Sequence, residues 1–171
     1  MQFLENHMDV VYFLKEEQLR LTKALENIQE AKKITSLRES FAELNTDLCA
    51  FLLLELDYVY PELEGLFSGS ETLIDTLSAQ NRTIVRKVKG LEKLLVKAGG
   101  SVPEISLKIS ALAETVVGHF DAVKLNILPK MRILIRTEDR EDLGDAFLDQ
   151  VEELRKTERS TPKRLMSKKR A

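Results

Sequence analysis

The sequence has no tryptophan, one cysteine, four prolines and seven glycines among its 171 residues. The single cysteine, Cys49, excludes an intrachain disulfide and is typical of a reducing compartment. The scarcity of glycine and proline favours long helices, because these residues interrupt helices most strongly. The longest apolar run, Leu48 to Leu54, is too short to span a bilayer. The first residues, Met1 to Glu5, contain an early acid and no basic segment, so we expect no signal peptide and a cytoplasmic protein.

Charged residues of both signs are abundant but unevenly placed. The chain has 26 Lys or Arg and 28 Asp or Glu, for a net charge of −2. Residues 155–171 hold eight Lys or Arg and one Glu, a local charge of +7, so the other 154 residues carry −9. An acidic body argues against a nucleic-acid-binding domain. The basic tail, residues 155–171, could contact acidic surfaces on a partner, or it could be a solvated terminus.

Four segments of the chain show apolar residues at alternating spacings of three and four, and the second and the fourth each have one extra spacing of four at the end. Each segment carries one polar residue on the same stripe. The stripes are Val11, Leu14, Gln18, Leu21, Leu25, Ile28; Leu37, Phe41, Leu44, Leu48, Phe51, Glu55, Val59; Ile74, Leu77, Asn81, Ile84, Val88, Leu91, Leu95; and Ile105, Ile109, Leu112, Val116, His119, Val123, Ile127. This spacing predicts amphipathic helices, since strands would alternate with period two.

Capping signals place the ends of these helices. Ser36 and Ser101 each precede a glutamate by three residues, which is the pattern of a capping box. Pro103 fits a first helical turn, and Gly99-Gly100 suits a helix end. We predict helices at 4–33, 37–66, 71–98, 103–136 and 139–157.

The short connections between these helices predict an all-α fold, an up-down-up-down antiparallel four-helix bundle with a short fifth C-terminal helix. We expect one domain at 1–159. Ser160-Thr161-Pro162 are expected to break the fifth helix and to release residues 160–171 as a disordered basic tail.

The four polar residues on the stripes, Gln18, Glu55, Asn81 and His119, are expected at similar heights in the bundle. Counting from the turns at 1.5 Å per residue places them within roughly one helical turn of each other. They predict a central polar layer, which is either a hydrogen-bonded network that fixes helix register or a ligand or metal site. Because the second and fourth helices lie across the diagonal, we expect Glu55 to pair with His119, and the two amides to complete the hydrogen bonds.

The chain resembles the hemerythrin-like, HHE cation-binding family in the order and spacing of its helices over residues 10–150. The comparison is anchored on Tyr60-Pro61 and Leu128-Pro129, which stand near the ends of the second and fourth helices. The resemblance implies two helix hairpins, each with an isolated histidine followed by His-x-x-x-Glu before the proline pair. Such a domain would hold a di-iron centre.

The resemblance also implies where the six iron ligands would stand. Those positions read Gln18, Phe51, Glu55, Asn81, His119 and Val123. Only Glu55 and His119 keep a family ligand type, and they are the candidate metal ligands. Loss of three of four histidines and one of two carboxylates should abolish di-iron binding, because iron needs several imidazoles and anionic bridges. No cofactor is expected; a single metal ion on the remaining pair is the alternative.

Three functions follow from these observations. The first is a non-enzymatic hemerythrin-like bundle that serves as a binding or regulatory module. The second is a metal protein that handles iron, oxygen or nitric oxide with an unorthodox ligand set, and the third is a structural assembly subunit. The run Leu48–Leu54 is apolar around the whole helix, so either the fifth helix or a second subunit covers its outer face. We expect a homodimer through helix 37–66, or a protein partner.

Overall fold

A computed structural model of the protein describes residues 7–66, 68–97 and 101–167, with side chains described as far as Arg159. Within these residues the chain folds as an all-α bundle, which confirms the predicted fold class. Its elements, in chain order, are α1 (Val10–Gln29), α2 (Ile34–Leu54), a π-helical turn (Glu55–Val59), α3 (Tyr60–Glu64), α4 (Glu71–Val96), α5 (Val102–Asn126), α6 (Leu128–Leu134) and α7 (Thr137–Ser167). None of the described helices is long and apolar enough to cross a membrane.

The four stripes form the core. Every residue of the four stripes is buried, the polar ones included. α1 packs on α2 and α5, and α4 packs on α5 and α2, so that α2 and α5 lie across the diagonal of the bundle. The periodicity of the sequence therefore predicted which face of each helix enters the core, because burial of one apolar stripe is the main stabilising term for such helices.

Several predicted helix ends are wrong, for local reasons. Among the described residues the first helix begins at Val10, and residues 7–9 of the predicted helix are not helical, because the Asp9 carboxylate caps α1 by accepting from the backbone N–H of Val11 at 2.8 Å. Residues 4–6 of that prediction lie outside the described residues. The first helix also ends at Gln29, before the expected residue 33. The second begins ahead of the capping box at Ser36, since the N–H of Leu37 already donates to the carbonyl of Lys33.

Other ends follow the prediction. Ser101 Oγ accepts from the N–H of Glu104 at 3.3 Å, so Ser101 caps this helix as predicted, with Pro103 in the first turn. The third helix begins at Glu71 as expected, but it ends at Val96 rather than at residue 98. The expected cap at 99–100 lies outside the described residues.

Both proline pairs interrupt their helices. Proline has no N–H and its ring crowds the carbonyl four residues earlier, so a proline within a helix commonly kinks or breaks it. Before Pro61 the chain forms the π-helical turn, and before Pro129 it breaks at Ile127. The predicted helices 37–66 and 103–136 are therefore each divided.

The fifth helix is longer than expected. α7 has 31 residues and continues through Pro162 to Ser167, so the predicted helix break at 160–162 is wrong. A proline removes one backbone hydrogen bond, and the Lys-Arg-Leu-Met sequence that follows consists of strong helix formers. Residues 168–171 of the expected tail lie outside the described residues.

α7 lies along α1 and α2 and buries Phe147 and Val151 against them. It covers the outer face of the apolar run Leu48–Leu54, which was the reason for expecting a second subunit there. The homodimer stays a prediction, now without that support.

Polar contacts fix both halves of α7. Near the start of α7, Arg140 donates to the Asp9 carboxylate at 2.7 Å, and Asp145 accepts from the N–H of Met8 at 3.1 Å. We call this set of contacts with the N-terminal segment the N-terminal clamp. Gly144 lies against this segment so closely that an added Cβ would stand 1.6 Å from the Met8 carbonyl oxygen.

Halfway along, a second set of contacts joins α7 to α1 and α2. Arg155, which is 9 % exposed, donates to Glu17 of α1 and to Glu152 of α7 and forms an ion pair with Asp47 of α2. Arg20 of α1 binds the same Glu17 and Asp47. These five residues are the Arg155 cluster.

Candidate functional site

The centre of the bundle holds a buried carboxylate. Glu55 is 1 % exposed and begins the π-helical turn, in which the N–H of Tyr60 donates to the Glu55 carbonyl. This bond spans five residues instead of four. The turn therefore absorbs one extra residue ahead of Pro61, and Glu55 stays on the inward stripe of α2. π-helical turns of this kind often occur at functional sites.

The imidazole of His119 faces this carboxylate from across the bundle. His119 Nε2 and Glu55 Oε2 share a hydrogen bond 2.7 Å long, and neither side chain is more than 1 % exposed. The direct contact agrees with the pairing expected from the diagonal placement of the two helices. A buried carboxylate without such a partner would be strongly unfavourable.

Two further donors converge on the same oxygen. Asn81 Nδ2 donates to Glu55 Oε2 at 3.1 Å, and the Tyr60 hydroxyl donates to it at 3.4 Å. Burial of the phenol, followed by the nearby charge of Glu55, raises the pKa of Tyr60 well above its usual value, so the hydroxyl keeps its proton. Glu55 Oε2 is thereby surrounded by three polar groups of the protein.

The other imidazole nitrogen is also engaged. His119 Nδ1 lies 3.0 Å from Gln80 Oε1, and Gln80 is half-buried at the edge of the layer. The sequence reading missed both Gln80 and Tyr60 as members of the layer. Gln80 lies off the inward stripe of α4, and Tyr60 was noted only for its place before a proline.

Gln18 does not complete the network as expected. Its side chain is 3 % exposed, yet neither its amide nitrogen nor its amide oxygen has a hydrogen-bond partner among the described residues. Glu55 Oε1 and Asn81 Oδ1 are likewise buried and unpartnered there. The structure thus joins Glu55, Asn81 and His119 in one network and leaves Gln18 outside it. Stripe spacing places Gln18 on the buried face of α1 but does not determine whether its amide meets a partner there.

The residues at the six ligand positions do not fit a di-iron centre. Two positions are filled by Phe51 and Val123, which are fully buried and have no lone pairs to offer. Phe51 instead packs edge-to-face on Phe120, with ring centroids 5.6 Å apart. The one imidazole has both nitrogens in hydrogen bonds with protein groups.

The wider donor set is equally poor in ligands. Among the described residues, no group of three or more His, Cys, Asp or Glu side chains could hold a metal ion. The second histidine, His7, is exposed and forms a hydrogen bond with Asp145 in the N-terminal clamp, so it is not part of the layer. A di-iron site needs several imidazoles and bridging carboxylates, which this layer does not supply.

Comparison with known proteins gives one match. The family model for the hemerythrin HHE cation binding domain matches residues 9–131. The match begins at the cap of α1, includes all six ligand positions and ends within α6. α7 therefore lies outside the matched residues. No curated protein matches the chain, and no solved structure does.

Proposed function

We propose that this chain, which belongs to the hemerythrin HHE cation-binding domain family, is a non-enzymatic bundle that acts as a binding or regulatory module. Its central layer is stabilised by hydrogen bonds between protein groups, where its relatives would hold iron. The observation that carries the proposal is the environment of Glu55 Oε2. That oxygen contacts His119, Asn81 and Tyr60 at once, so protein donors surround the carboxylate that would otherwise bridge two metals.

The absence of enzymatic activity is part of the proposal. The carboxylate and the imidazole of the layer are the groups suited to acid–base work, and they are hydrogen-bonded to each other inside the bundle. Neither is more than 1 % exposed, so a substrate has no access to them without local opening of the helices. Function then depends on the outer surfaces of the bundle, as it does for a module that binds a partner.

A second candidate function rests on the unpartnered oxygens. Glu55 Oε1, Asn81 Oδ1 and Gln18 Oε1 are three buried acceptors that meet no donor within the part of the chain that the structure describes. Oxygen ligands of this kind favour hard cations over iron held by imidazoles. The alternative is therefore a metal protein with an oxygen-rich, unorthodox ligand set.

Elemental analysis of the protein purified from iron-supplemented cells separates these functions. We expect a colourless protein with far less than one iron per chain after dialysis. Calcium and magnesium measured in the same samples test the second candidate. Iron or another metal that stays near one per chain would contradict the metal-free module.

A restored variant is the matched control. The substitutions Gln18→His, Phe51→His, Asn81→His and Val123→Glu place the missing ligand types at the family positions. If the bundle geometry is intact, this variant should gain iron and near-ultraviolet absorption that the parent lacks. Iron uptake by the variant alone would show that ligand identity, rather than the fold, decides metal binding.

A further inference from the structure

A groove runs along the outside of the bundle between α2 and α4. It encloses a cavity of about 710 Å³, and the lining includes Phe41, Leu95 and Val96, together with Cys49 and Glu158. Val96 is 80 % exposed, so an apolar wall faces outward there. We call this the α2/α4 groove. Its volume is in the range that protein pockets offer to ligands or to several side chains.

The thiol in this groove is chemically quiet. Cys49 Sγ donates to Asn45 Oδ1 at 3.1 Å. Burial, followed by the charges of Glu158 and Glu92, raises the pKa of the Cys49 thiol to about 12. A thiol that stays protonated reacts slowly, which argues against redox sensing. Arg38 and Lys89 line the groove together with Glu92 and Glu158, so its charges are balanced and its apolar wall is the feature that distinguishes it.

The register of α7 leads toward this groove. Phe147, Val151 and Leu154 pack on the bundle at spacings of four and three, and Glu158 continues the face at the groove wall. The next positions of the same face are 161 and 165, and the backbone remains helical to Ser167. Position 165 is a leucine, and position 166 is a methionine.

We propose that the α2/α4 groove is a docking site for residues 160–171 of the same chain. Leu165 and Met166 are the only large apolar residues of that segment, and the groove offers an apolar wall of matching character. The described side chains end at Arg159, directly after Glu158 at the groove wall, so the segment begins beside the groove. In this proposal the basic end of the chain covers the groove. The proposal differs from the sequence-based interpretation of this segment as a solvated terminus.

Cys49 provides the readout, because it is the only cysteine and lines the groove. The rate at which N-ethylmaleimide modifies Cys49 is measured in the full-length protein and in Leu165→Glu. We expect the variant to react about tenfold faster, since the cover is displaced and the thiol is reached without local opening. Leu148→Glu is the matched control, because Leu148 is an exposed leucine of the same helix; its rate should equal that of the parent.

Two outcomes would overturn the proposal. One is a parent protein whose Cys49 reacts as fast as in Leu165→Glu while both remain helical by circular dichroism, which would leave the groove open to a separate partner. The other is the absence of nuclear Overhauser contacts between the methyl groups of Leu165 and those of Leu95 or Val96 in the unmodified full-length chain. The second measurement needs no variant and stays decisive if Leu165→Glu fails to fold.

Discussion

Charged groups join helices in two regions of the molecule, the central layer and the surface along which α7 contacts the rest of the bundle. We call this second region the seam; it is partly exposed, whereas the layer is buried. In the layer, one carboxylate and one imidazole meet where neither is more than 1 % exposed. Along α7, the N-terminal clamp and the Arg155 cluster combine several ion pairs whose carboxylates are partly exposed, such as Asp9 at 31 % and Asp47 at 21 %. Water can replace a lost partner along the seam, whereas in the layer it cannot do so without opening the bundle.

This difference predicts unequal consequences of removing one partner. The layer should be strongly intolerant of single changes and tolerant of paired ones. The seam should lose stability in small steps, with the close backbone contact at Gly144 more important than any one charge.

The largest effect is expected in the layer. Glu55→Leu or His119→Leu alone should each reduce the free energy of unfolding by about 3–5 kcal/mol, because one buried partner is left unmatched. The double variant should cost much less than the sum. A double-mutant cycle by urea denaturation measures this coupling, with Glu62→Leu, an exposed glutamate, as the control. Simple additivity would show that the two residues do not act as a pair.

A smaller effect is expected where α7 meets the N-terminal segment. Gly144→Ala should reduce the free energy of unfolding by about 1–3 kcal/mol, because the new Cβ collides with backbone and forces α7 to shift. Gly118→Ala is the matched control, since nothing lies within 4 Å of a Cβ at that position in α5. That substitution should raise stability by about 0.5–1 kcal/mol through helix propensity. Thermal unfolding of the two variants should therefore move in opposite directions.

Loss of a single charge in the seam should cost less again. Arg155→Met should reduce the free energy of unfolding by about 1 kcal/mol, because Glu17 and Asp47 keep Arg20 as a partner. Arg136→Met removes the exposed pair with Glu138 and should change little. If Arg155→Met instead unfolds the chain, the seam behaves like the buried layer and the comparison fails.

The smallest effect concerns acid. Burial acts to raise the pKa of Asp9, but Arg140 and the backbone donors at the start of α1 outweigh it and hold the pKa below its ordinary value of 3.8. A carboxylate with a lowered folded-state pKa adds stability above the unfolded value, which is lost as the pH falls through the folded value. Asp9→Asn, which keeps a capping side chain, should flatten the decline in stability between about pH 5 and pH 3. An unchanged slope in urea titrations at those pH values would contradict this.

The sequence predicted the core better than the ends of the helices. Stripe spacing identified the buried face of four helices and placed Glu55 opposite His119, since helical periodicity and short connections determine both. The start of α1 was missed because Asp9, which stands just before the first stripe, was not recognised as its cap. The course of α7 past Pro162 was missed because one proline is a weaker signal than the helix formers around it.

The details of the layer depended on information that stripe spacing does not contain. Gln80 reaches His119 from outside the stripe, and Gln18 stands on a stripe without joining the network. One signal was present in both divided helices: Phe51, Glu55 and Val59 follow each other at two successive spacings of four, and so do His119, Val123 and Ile127, where a regular α-helix would alternate. This lag precedes the interruption of each helix, but it does not distinguish the π-helical turn before Pro61 from the break at Ile127.

The π-helical turn at Glu55–Val59 changes which side chains lie next to each other. In an α-helix, residues five apart point in directions that differ by roughly 140°, so Tyr60 and Glu55 would face different parts of the protein. The π-helical turn rotates less per residue than an α-helix, which brings the fifth residue closer to the direction of the first, and the Tyr60 hydroxyl reaches the Glu55 carboxylate. Deleting one residue within Glu55–Val59 would restore the tighter winding and turn everything that follows by about a quarter of a revolution. The contacts of the layer thus depend on the rotation that the π-helical turn gives to the residues after it, as well as on the identity of the side chains.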